Sequence, residues 1–97
     1  MGRYSINKLP SEVLTDTASW HRDLRKKVKL SQAELSARSG VSLGSIKRFE
    51  ASGRISLESF LKLLLILNRL DEFEMVLKPE ENMDEVEKLF SRKTRRS

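Results

Sequence analysis

Cysteine is absent from the chain, so neither a disulfide framework nor a thiolate metal site can form, and a reducing compartment is permitted. A cytoplasmic location is the expectation. Long apolar runs are missing too. The longest, Leu63 to Leu67, falls far short of the ~20 residues that span a bilayer, and no charged leader with an apolar stretch opens the chain, so neither export nor membrane insertion is expected. Histidine occurs once, at His21, alone among basic residues, and reads as a solvated side chain rather than a general base. Glycine-rich phosphate loops and nucleophile motifs are lacking, and the acidic clusters Glu80-Glu81 and Asp84-Glu85-Glu87 do not have calcium-loop spacing. An enzyme, a cofactor and a bound metal are therefore not expected. No alternating apolar run is long enough for a strand, so the expected fold class is all-α.

What is present is charge, and it is segregated. The 97 residues carry a net charge of +5 and suffice for one small helical core, not two. Residues 21–54 hold nine Lys/Arg against three Asp/Glu, a balance of +6, whereas residues 71–90 hold two against eight, a balance of −6. The seven residues after them add +4. One reading is a basic face for a polyanion with an acidic surface kept off it; plainly solvated charged helices are the other.

Helix signals divide the chain. Residues 1–10 carry no period and read as an arm, ending at Leu9-Pro10-Ser11-Glu12, where proline is tolerated in a first turn. A first helix then runs to about Lys27 with Val13, Thr17, Trp20, Leu24 and Val28 as its stripe, which places Trp20 in the core. Ser31 and Glu34 make a capping box for a short helix, Gln32 to Ser39, ended by Gly40. Ser42 caps a third, Leu43 to Ala51, with Ile46 and Phe49 inward and Ser52-Gly53 closing it. Ser56 caps a fourth, whose apolar residues from Leu57 to Leu67 nearly encircle it, so that it is the centre of the core or faces a partner as well. Asp71 with Glu74 opens a fifth, Glu72 to Leu77, stopped by Pro79. Asn82 with Glu85 opens a sixth, carrying Met83, Val86, Leu89 and Phe90 on one side. The resulting limits are an arm over 1–10, a helical domain over 11–78, an acidic C-terminal helix over 79–90 and a disordered basic tail over 91–97.

Two short serine-capped helices joined by a turn containing Gly40 are the layout of a helix-turn-helix. Ser36 is the small residue where they cross, and Leu35, Val41, Ile46 and Phe49 seal them from inside. An ordinary helical bundle is the alternative, but it has no need of two caps and a glycine at these intervals. The stretch SQAELSARSGVSLGSIKRFEASG, preceded by Leu24-Arg25, resembles the phage-repressor/Cro family, also called the XRE family, over about residues 20 to 68. The resemblance implies a lambda-repressor-like domain of about five helices, with a short C-terminal helix and basic tail, that binds double-stranded operator DNA. It implies that Gln32 binds a phosphate and that Arg25 and Glu50 form a structural ion pair bracing the motif. The third helix is then the one that enters the major groove, with Ser42, Leu43, Gly44, Ser45, Lys47 and Arg48 outward. Arg48 suits guanine O6 and N7, Leu43 a thymine methyl and Lys47 a phosphate; Gly44 allows close backbone approach, and His21 would lie near phosphate. The chain departs from the family at Lys29, where many members have glycine, at Ser36, where many have alanine, and at Leu43 and Gly44, where amide base readers are common.

Phe73, Val76, Leu77, Met83, Val86, Leu89 and Phe90 put further apolar surface on short segments. They either complete the core of one chain or form a homodimer interface, and a dimer is expected because one recognition helix reads only a few base pairs. The segment ISLESFLKLLLILNRLDEFEMVL, with the acidic stretch and basic tail behind it, resembles antitoxins of the HipB type. That likeness implies a repressor of its own operon with a HipA-type kinase toxin as partner. A phage or host repressor without a toxin, and an interaction adapter that keeps the fold without reading DNA, are the alternatives.

Overall fold

The computed structural model describes residues 8–79, which form five helices and no strand: α1 (Pro10–Lys27), α2 (Gln32–Ser39), α3 (Leu43–Ser52), α4 (Leu57–Ile66) and α5 (Leu70–Glu74). The all-α fold class expected from the sequence holds. The expected sixth helix with Met83, Val86, Leu89 and Phe90, the basic tail and most of the arm lie outside the described residues. None of the described helices is long and apolar enough to cross a membrane.

Local chemistry sets most of the helix ends. Pro10 stands in the first turn of α1, and the Glu12 carboxylate accepts from the Leu9 N–H at 2.9 Å. The hydroxyls of Ser31, Ser42 and Ser56 each accept the N–H three residues on, at 3.0 to 3.1 Å. Glu34 completes the box by accepting from the Ser31 N–H at 2.8 Å. Gly40 and Gly53 close α2 and α3 in the left-handed conformation. α1 and α4 end the same way without glycine. Leu30 N–H bonds to the Arg25 carbonyl and Lys29 N–H to that of Lys26, while Arg69 and Asn68 repeat the pattern on Leu64 and Leu65. Both are Schellman turns, with Lys29 (φ 64°) and Asn68 (φ 63°) in the left-handed position. Asparagine visits that region readily; lysine does so at a cost of roughly 1–2 kcal/mol.

Helix packing follows the apolar positions of α2, α3 and α4, and on α1 it takes Leu24 but not the rest of the expected stripe. Leu30, Leu35, Val41, Ile46, Phe49, Leu63 and Leu67 form the core, with Leu24, Ile55, Phe60 and Ile66 packed on it. Most of the stripe expected on α1 is not its buried face: Val13, Trp20 and Val28 are exposed, Trp20 at 61%, while Thr17 and Leu24 are half-buried. The residues turned inward are Ala18, His21 and Arg25, so the face that meets α3 is largely polar and invisible to apolar periodicity. α1 can lie this close because residue 53 has no side chain: a Cβ there would stand 2.3 Å from the Leu14 carbonyl oxygen. α5 also differs from expectation, starting at Leu70 and giving way to turns after Glu74. The Schellman turn at Asn68 feeds straight into it, and Arg69 bonds Glu72 at 2.6 Å in place of the expected cap at Asp71.

Two backbone positions test this architecture. Gly53→Ala combines left-handed strain with collision against backbone and is expected to cost about 3 kcal/mol. Lys29→Gly removes strain and should add roughly 0.5–1 kcal/mol after the entropy cost of glycine. Urea denaturation reads both, and a Gly53→Ala chain as stable as the parent would mean that α1 does not cross α3 at this distance.

Candidate nucleic-acid interface

Three hydrogen bonds tie the turn between α2 and α3 to the end of α2. Gly40 N–H reaches the Ser36 carbonyl, and Val41 N–H the Ser39 hydroxyl at 3.1 Å. Ser36, the small residue at the helix crossing, donates its hydroxyl to the Val41 carbonyl at 2.6 Å. That bond explains serine where alanine would fill the space alone: the hydroxyl ties the end of the turn to the helix before it.

α3 is thereby presented with two faces. Ile46, Phe49 and Glu50 are buried, while Ser42, Gly44, Lys47 and Arg48 are exposed and Leu43 and Ser45 half-buried. Ser42 uses its hydroxyl within the helix, accepting from Ser45 N–H and donating to the Ser45 hydroxyl at 2.8 Å. Ser45 consequently keeps its own proton for an outside acceptor. Gln32, half-buried on the first turn of α2, donates Nε2 to Glu50 at 3.0 Å.

Glu50 is the hub of the motif. Arg25 grips it with Nε at 2.9 Å and Nη2 at 2.8 Å, and turns Nη1 to the Leu30 carbonyl at 3.0 Å. His21 places Nδ1 2.7 Å from the second carboxylate oxygen. Arg22 donates to the Glu50 backbone carbonyl at 2.9 Å. One carboxylate on α3 thus holds side chains from α1 and α2 together. Burial works to raise the Glu50 pKa, but hydrogen bonds from Arg25, Gln32 and His21 outweigh it and bring it down to about 2. The Glu50 bond raises the pKa of Arg25. For His21 burial prevails over the pull of Glu50 and lowers the pKa. The imidazole is therefore neutral near pH 7, and Glu50, an acceptor only, keeps the proton on Nδ1.

A family model described as helix-turn-helix matches residues 22–73, more than half of the chain. The chain belongs to the helix-turn-helix family. It is a DNA-binding regulator of the XRE kind. Comparison with curated proteins and with solved structures gives no significant match. In this helix-turn-helix protein, the residues assigned to DNA from the sequence form the outer side of α3 together with the first turn of α2, and Arg25 and Glu50 are in contact as a bidentate pair.

His21 is the correction. Expected in solvent near phosphate, it is only 5% exposed, stacks edge-on against Phe49 with ring centroids 4.8 Å apart, and binds Glu50. Its place four residues before Arg25, on one helix face, is the signal that could have found it. The second role of Gln32, holding Glu50, carries no such local mark.

Acid stability checks the hub. The folded pKa of His21 lies below the usual 6.5 and that of Glu50 below 4.5, so the folded chain binds fewer protons than the unfolded one. Both contributions are complete at pH 7.5. The histidine part should fall away as pH drops below 6.5, and the glutamate part, roughly 3 kcal/mol, between 4.5 and 2. In His21→Asn, whose amide can still donate to Glu50, urea denaturation at a series of pH values should lose the upper window and keep the lower. A wild-type stability that is flat from pH 7.5 to 5 would contradict a histidine held neutral.

Proposed function

We propose that the protein is a sequence-specific transcriptional repressor acting as a homodimer, and that it is the antitoxin of a HipA-like kinase toxin, repressing the operon that encodes both. The observation that carries the DNA-reading part is the outward face of α3: small and basic side chains stand clear of the core on a helix whose inner face is clamped through Glu50. Such a helix can enter a major groove without first rearranging. Arg48 reads a guanine, Leu43 a thymine methyl, Ser45 an acceptor, and Lys47 with the first turn of α2 at Gln32 meets phosphates.

Dimerisation is supported by apolar surface on α4 and on the turns after α5. Leu65, Met75, Val76 and Leu77 are exposed, Leu77 at 92%, and Phe73 stands half-buried among them. The reading requires that two copies joined here set their recognition helices one helical turn of DNA apart, about 34 Å. The likeness of the segment from Ile55 to Leu77 to HipB-type antitoxins supports the kinase partner. In this reading the chain binds and does not catalyse. An interaction adapter is the second reading, favoured by the bare first turn at Leu43 and Gly44.

Titration of the promoter upstream of its own gene decides between them. Binding should weaken with salt at a slope of about −0.9 per phosphate neutralised. Arg48→Ala is expected to lose about 1–3 kcal/mol of discrimination at one base pair. Lys47→Ala should weaken all sequences alike and reduce the salt slope by about 1. No preference for that promoter over unrelated DNA would leave the adapter, and the absence of a kinase gene beside this one would remove the toxin partner.

A further inference from the structure

An apolar groove of about 680 Å³ runs between α1, α4 and α5, walled by Trp20, Leu24, Phe60, Leu64, Leu67 and Phe73. Clefts of this volume accept molecules of drug size. At its edges Lys27 and Arg69 are offset by Asp23 and Glu72, so it favours neither sign of charge.

His21 also lines this groove. Its Nδ1 faces Glu50, which is not part of the lining, and Nε2 on the other side of the ring is buried without a hydrogen-bond partner among the described residues. Thr17, Trp20, Lys27 and Arg69 all carry donors among the lining residues, and none bonds it. With the proton held on Nδ1, the orphan is a lone pair waiting for a donor. Buried acceptors are seldom left so.

We propose that the groove binds a small uncharged molecule, an aromatic or alicyclic body bearing one O–H or N–H, which donates that hydrogen to His21 Nε2. The body replaces water against the apolar walls, and the donor supplies the missing bond. To reach Nε2 a lining side chain must turn aside, and Leu24, Phe60 and Leu64 are only half-buried. A hydrogen bond accepted at Nε2 polarises the ring and strengthens the Nδ1–H bond to Glu50. The ligand thus tightens the clamp on α3, and by linkage ligand and DNA favour each other's binding. Only that last step rests on the proposed DNA-reading role.

The test uses the full chain with ¹⁵N-labelled histidine, titrated with 2-naphthol and, separately, with 2-methoxynaphthalene, which keeps the rings and lacks the donor. One histidine and one tryptophan make the reporters unambiguous: the Nε2 resonance follows the bond, and Trp20 emission follows occupancy. Naphthol should bind at least tenfold more tightly and move the Nε2 signal upfield. Leu64→Trp, which fills the groove, should abolish binding by calorimetry; if that variant does not fold, the comparison of the two compounds decides alone. Equal affinities, binding with Nε2 unmoved, or no binding because the chain's own residues or a second copy fill the groove would each overturn the site. A naphthol-induced Nε2 shift with unchanged operator affinity would overturn the coupling and leave the site standing.

Discussion

The structure depends on one buried carboxylate. Glu50 accepts from Arg25, His21 and Gln32 and is almost wholly removed from water. Without these partners a charge so placed would be expelled or protonated, because the protein interior replaces none of its hydration. The donors come from α1 and α2, so satisfying the charge and fixing the three helices are the same event. Apolar packing alone would hold α1 poorly, since its buried face consists of Ala18, His21 and Arg25.

Buried ion pairs are often no better for stability than a well-packed apolar replacement. What the Glu50 cluster adds is direction. Leu–Leu contacts tolerate sliding and rotation, whereas a bidentate guanidinium fixes distance and plane together. The cluster sits at the C-terminal half of α3, and the Ser36 hydroxyl on the Val41 carbonyl pins the turn leading into its other end. α3 is therefore held at both ends by directional bonds, with Ile46 and Phe49 filling the space between. In the proposed complex, a helix that meets base edges within hydrogen-bond tolerance gains more from that than from extra hydrophobic area.

Most of this fold is legible in the sequence because its punctuation is local. Ser31, Ser42, Ser56, Gly40 and Gly53 act on residues within a turn of themselves, and the helices begin and end beside them. The orientation of α1 is illegible for the converse reason. Its inward face is polar and is made apolar in effect only by a partner 25 to 29 residues away, so periodicity selects the outer stripe with Trp20. The Arg25–Glu50 contact follows from family likeness and not from any pattern in the residues. His21 carries the same information in its spacing to Arg25, but a single histidine has no period to betray it. Lys29 is an instructive departure: the family's glycine is absent and the turn forms regardless, because two backbone hydrogen bonds and the Arg25 contact to the Leu30 carbonyl over-determine it.

Gly44 has no comparable internal reason. A Cβ at that position meets nothing within 4 Å, and its backbone is not left-handed. Alanine would serve the helix better by about 1 kcal/mol. Gly53, by contrast, is demanded by the Leu14 carbonyl and by its own φ. Of the two glycines on and beside α3, one is required by contacts inside the fold and the other by nothing inside it. The missing side chain at 44 lies on the exposed side, next to Arg48 and Lys47 and away from every core residue. In the proposed complex it lets the α3 backbone approach whatever the helix meets, which places the reason for this residue in the partner and not in the protein.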